Sequence, residues 1–176
     1  RKASSAASDV YKRQVYFRCK KHGSFILGRV VGMEEDFFEA AIRHWYDGKL
    51  LEEEQEYDNA VCMQGFAAEC ALKKILLSRL QREEVVRYGH NLEVLFQDLQ
   101  MLLTNDRDMI SILDPAAGFR LSKINLPAIL FENHPDRRYY SDGKYSTEDA
   151  SVCRECAEVL LAEMCRLYID GYIIIL

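Results

Sequence analysis

The sequence predicts an all-α protein, an antiparallel up-and-down bundle of four to five helices. Two observations carry this. Apolar residues recur at helical spacing in every well-patterned segment, and no alternating strand run of useful length occurs. The chain has 176 residues, of which 49% are hydrophobic and 29% charged, which suits one folded domain rather than a disordered chain. No apolar run is long enough to span a membrane, and cysteines placed within helical patterns lead to the expectation of reduced thiols in a cytoplasmic protein.

The first helix is expected from Glu34 to about Glu54, with Phe37, Phe38, Ala41, Trp45 and Leu51 on its apolar side and Gly48 weakening its middle. The second, Asn59 to about Leu80, is apolar over most of its circumference, as befits a central helix. Its small residues Gly65, Ala67, Ala68 and Ala71 permit close approach by neighbours. A third helix starts near His90-Asn91 and runs to Leu103 on Leu92, Leu95, Phe96, Leu99 and Leu102. Within 105–131, Asp114-Pro115 could open a helix that Pro127 would disturb near its end. Asn133 to Tyr145 reads as loop. Ser146 and Asp149 then form a capping arrangement for a last helix that Gly171 ends.

Residues 1–32 hold eight basic residues against the single acid Asp9, a balance of +7, while the remainder carries 15 basic and 27 acidic residues, a balance of −12. A basic arm of this kind would suggest nucleic acid or a transit peptide. However, Ser4 to Gln14 reads SSAASDVYKRQ, which resembles a translated sequencing adapter, and the helical pattern begins just after Met33. Residues 1–32 are therefore expected to be non-native, 33–172 to be the domain and 173–176 a short apolar tail.

Three patches resemble the HEPN domain family. The first runs from His44 to Leu76 and includes Gly65, Ala67, Glu69, Ala71, Leu72 and Lys73 in the pattern G-x-A-x-E-x-A-L-K. The second is Gly89-His90-Asn91-Leu92, similar to the family's G-H-D-L opening of a helix. The third is Arg138-Tyr139 and Asp142, followed by Thr147-Glu148-Asp149-Ala150 at the start of the last helix. The resemblance covers about 34–170. It implies a helical domain, commonly dimeric and often encoded beside a minimal nucleotidyltransferase. Many relatives are RNA-cleaving toxins or defence effectors, so nucleotide or RNA binding within a prokaryotic toxin–antitoxin or defence-type module is implied. The alternative is a non-catalytic dimerisation module that binds a nucleotidyltransferase partner.

Ribonucleases of the family carry Arg, four to six residues, then His. Here Arg82 and His90 are separated by seven residues, Arg87 and His90 by two, and Arg120 and His134 by thirteen, while the last helix has Arg154 and Arg166 but no histidine. The catalytic candidates are accordingly His90 and Arg138 alone, and the ligand-binding candidates Glu69, Lys73, His90, Arg138 and Tyr139.

Each candidate has two readings. Glu69 and Lys73, four apart, form an ordinary surface pair, or Glu69 meets Arg138 or His90 in a polar pocket. His90 caps or packs, or it is a general base. Arg138 grips a phosphate while Tyr139 stacks on a base, or Arg138 pins the long loop to the bundle through Glu69. No metal or cofactor is expected. Cys153-x-x-Cys156 lies on one helix without a second pair, and the four histidines lack ligand spacing. The cysteines, Cys19 among them, read as reduced thiols, those in the helices buried.

Overall fold

The computed structural model describes residues 36–105 and 125–173, without the side chains of 103 and 104. The arm 1–32, the Asp114-Pro115 helix start and the last three residues lie outside the described residues. All elements below belong to the compact unit Phe37–Leu176. They are α1 (Phe37–Glu53), α2 (Tyr57–Leu76), α3 (Arg82–Arg87), α4 (Leu92–Asn105), α5 (Ala128–Phe131), a 3₁₀ turn (Asp136–Tyr139) and α6 (Thr147–Ile169). Among the described residues there is no strand. The chain is an all-α helical bundle, as its periodicity predicts.

Helix α2 is the centre. It packs against α1, α4, α5, α6 and the 3₁₀ turn, and its composition explains why. Ala60, Val61, Ala67, Ala68, Ala71, Leu72, Ile75 and Leu76 are all essentially inaccessible, so several faces of one helix are covered at once. Phe38 and Ala41 of α1, Leu95 and Leu99 of α4, and Ala157, Leu160 and Met164 of α6 fill the surrounding core. Gly48 lets α1 come close to α2, since a Cβ there would meet Gln64 Nε2 at 2.6 Å. The buried Gln64 amide is anchored in turn by donating to the Trp45 carbonyl at 3.2 Å.

The ends of the helices follow from local chemistry. At α6, the Ser146 hydroxyl accepts from the Asp149 amide at 3.2 Å, while the Ser146 amide donates back to Asp149 at 2.8 Å. Gly171, at φ +82°, closes the same helix. The second helix stops at Leu76 rather than Leu80. Its last turn tightens through Ser78 and Arg79 amide bonds to the Ile75 and Leu76 carbonyls, and α3, absent from the sequence reading, follows. Pro127 begins α5 instead of disturbing a helix end, having no amide hydrogen to lose there.

Candidate functional site

The G-H-N-L tetrapeptide divides its labour residue by residue. Gly89 takes φ +56°, a left-handed conformation that ends α3 without a Cβ penalty. Asn91 caps α4 by accepting from the Val94 amide at 3.1 Å. Leu92 is buried in the core. His90, held between these fixed points, projects back onto α2.

There it meets Glu69. Both the Glu69 and Lys73 side chains are buried, 4% and 7% exposed, so the surface-pair reading is corrected: this i,i+4 pair faces inward. The reason is that α2 is covered on nearly every side. Lys73 Nζ donates to Glu69 Oε1 at 2.7 Å and lies 5.2 Å from the centroid of the Phe37 ring. His90 Nδ1 sits 3.1 Å from Oε1 and 3.0 Å from Oε2. A third partner, missed by the sequence reading, is His134, whose Nε2 lies 2.8 Å from Oε2.

Burial opposes ionisation of Glu69, but bonds from His134, Lys73 and His90 outweigh it and hold the carboxyl down to about 2. An ionised carboxylate only accepts. Both imidazoles must therefore donate to it, through opposite ring nitrogens. His90 donates from Nδ1, and Nε2 is its nitrogen away from the carboxylate. His134 carries its proton on Nε2 and keeps the Nδ1 lone pair. The two rings also differ in exposure. His90 has a side chain 51% exposed, whereas that of His134 is fully enclosed. Burial pushes the His134 pKa down, so the ring is held neutral.

His134 fits because residue 65 is glycine: a Cβ there would stand 2.8 Å from His134 Nδ1. Phe66 organises the rest. His134 packs edge-on to its ring at 4.8 Å, His90 at 6.1 Å, and His44 lies tilted at 5.7 Å. Histidines scattered in sequence thus gather around one phenyl ring. Beside the cluster an open depression of about 370 Å³ is lined by Tyr88, His90, Asn91, Leu92, Glu93, Phe131, His134 and Pro135.

Arg138 and Arg137 divide the two roles that the sequence reading offered to Arg138 alone. Glu69 takes its hydrogen bonds from Lys73, His90 and His134, so Arg138 is not its pin. Arg137 is the buried pin, and it uses other partners. Its Nη1 donates to the Ile129 carbonyl at 2.7 Å and its Nη2 to the Leu130 carbonyl. Arg138 remains exposed, its guanidinium carbon 5.9 Å from the Phe66 centroid and 4.8 Å from that of the exposed Tyr139. The structure therefore joins Glu69, Lys73 and His90 directly and sets Arg138 and Tyr139 at the rim. Downstream, Asp58 accepts from the amides of Gly143 and Lys144 at 2.8 and 2.9 Å and ties this loop to the start of α2.

Residues 34–167 match the family model for the HEPN domain. The chain belongs to the HEPN family. No curated protein and no solved structure matches it. In this HEPN chain the cysteines of the described helices are free; four are buried, Cys156 only partly so, and desolvation raises Cys153 to about 12 and Cys156 to about 11. No helix among the described residues is long and apolar enough to cross a membrane.

Proposed function

We propose that this HEPN protein binds RNA or a nucleotide at the exposed edge of the Glu69 cluster, as part of a prokaryotic toxin–antitoxin or defence-type module in the cytoplasm. The observation that carries the reading is the Glu69–His90 bond. By accepting from Nδ1–H, the carboxylate orients the half-exposed ring and leaves Nε2 as the nitrogen available for proton transfer. Arg138 supplies a cation for a phosphate, and Tyr139 an exposed ring for a base to stack on. Arg138 and His90 both lie about 6 Å from the Phe66 centroid, which gives them a common aromatic neighbour. With Arg138 as clamp and His90 as acceptor of the 2′-OH proton, RNA cleavage needs no metal, although the family's Arg-x4-6-His spacing is absent.

The test is binding and cleavage of single-stranded RNA by the full chain with chelator present. Cleavage lost in both His90→Ala and Arg138→Ala, with RNA binding weakened in Arg138→Ala, supports the reading. A folded wild-type protein that neither binds nor cuts RNA refutes it.

A second reading rests on α6. Val152 and Val159 of α6, one heptad apart, are 40% and 41% exposed, two apolar side chains on its outer side. It suits a non-catalytic module whose stripe docks a second copy or a nucleotidyltransferase partner, and the balance of −12 over residues 33–176 favours it over phosphate binding. Val152→Asp with Val159→Asp then abolishes dimerisation or partner capture, while Arg138→Ala leaves both intact.

A further inference from the structure

We infer that Glu69, His90 and His134 form a binding site for one divalent transition-metal ion of the zinc or cobalt type. One carboxylate oxygen and one ring nitrogen from each histidine lie within 4.8 Å of one another. Both nitrogens converge on the same oxygen, Oε2, from 2.8 Å and 3.0 Å. An ion bonded at about 2.0–2.2 Å to each atom, with tetrahedral angles, needs the donors roughly 3.4 Å apart. The two nitrogen–Oε2 separations reach that by opening a few tenths of an ångström, and the widest donor separation, up to 4.8 Å, by closing through the half-exposed His90 ring.

The surroundings suit an ion. Lys73 bonds Oε1 at 2.7 Å, which orients the carboxylate and leaves Oε2 to coordinate, as ligating carboxylates are themselves normally hydrogen-bonded. His134 is a rigid ligand, seated against Gly65 and edge-on to Phe66. His90 is half-exposed and borders the open depression, which gives the ion an entry path and leaves a coordination position for water. Two imidazoles and one carboxylate select borderline ions over magnesium or calcium, which take all-oxygen sets. The Lys73 charge opposes the incoming cation and lowers its affinity without blocking its place.

Proton accounting is simple. Glu69 is already ionised, and each ring binds the ion as a neutral imidazole. His90 moves its hydrogen from Nδ1 to Nε2, and His134 from Nε2 to Nδ1, freeing the nitrogen that faces Oε2. His134 Nδ1, buried and without a hydrogen-bond partner, becomes the N–H. Metal binding thus reverses both tautomers, a signature that no surface or cysteine site produces.

This inference stands apart from the RNA reading, whose assay runs in chelator, so either can fail alone. The experiment is a zinc titration of the full chain followed by long-range proton–nitrogen NMR of the histidines, with cobalt absorption in parallel. One equivalent of zinc that switches both tautomers, and a cobalt spectrum without a thiolate charge-transfer band, support the site. His90→Ala, at a half-exposed position where folding is not at stake, should weaken zinc binding at least about 100-fold, beyond the loss of an outer hydrogen-bond partner. Tautomers unchanged at saturating zinc, equal uptake by wild type and His90→Ala, or a thiolate band each overturn it.

Discussion

His134 donates from Nε2 to Oε2 of Glu69 at 2.8 Å, across a separation of 65 residues in the chain. The bond fastens the segment after α5 to the middle of α2, and it sets the protonation of everything around it. Three groups share one carboxylate, so its charge is worth more to the fold than that of a surface acid.

Glu69→Gln should reveal this through pH. The carboxyl sits at about 2 in the folded protein against 4.5 when unperturbed. Its stabilisation is therefore complete above about pH 4.5 and disappears as pH falls toward 2, amounting to about 3 kcal/mol at neutral pH. Urea denaturation of wild type and Glu69→Gln should show that gap at pH 7 and a closing gap by pH 3. A constant gap would refute the electrostatic account. His134 adds a slope of the same sign from pH 6.5 downward, because the unfolded imidazole takes its proton before the buried one does.

Gly65→Ala tests the seat of His134. Alanine is favoured over glycine in a helix interior by about 1 kcal/mol. Here the added Cβ would stand 2.8 Å from His134 Nδ1, and the enclosed ring has little room to retreat. We expect net destabilisation of about 1–3 kcal/mol and displaced His134 ring resonances in NMR spectra. A variant more stable than wild type would contradict the close packing.

The adjacent arginines should separate cleanly. Arg137→Ala leaves the Ile129 and Leu130 carbonyls without their guanidinium and should cost about 2–4 kcal/mol. Arg138→Ala should change stability by less than about 0.5 kcal/mol yet weaken RNA binding. Thermal melts paired with an RNA filter-binding assay check both halves.

Cys153 and Cys156 should resist alkylation. Burial raises their thiols to about 12 and about 11, so almost no thiolate exists at neutral pH. Iodoacetamide at pH 7.5 should leave them unmodified in the folded chain and label them fully in urea, as read by peptide mass spectrometry. Rapid labelling of native Cys156 would contradict the burial.

Much of the fold was legible because burial is written as periodicity. The stripes of α2 and α6, the Ser146–Asp149 cap and the role of Gly171 all sit in local sequence. Glu69 and His90 were legible as candidates, but the side on which the Glu69–Lys73 pair lies was not, since i,i+4 spacing is the same inside and out. His134 was invisible for another reason. It lies in a stretch without helical rhythm, and its partners are 65 and 44 residues away in sequence. Arg137 and Arg138 were confused because loops carry no period that says which neighbour turns inward.

The loop bearing Arg138 and Tyr139 is tethered on both sides, by the Arg137 guanidinium before it and by Asp58 holding the Gly143 and Lys144 amides after it. A span fixed at both ends has few shapes to surrender when something lands on it. Recognition there begins from a surface already close to its bound form, so the entropy of ordering is charged to folding and not to each encounter.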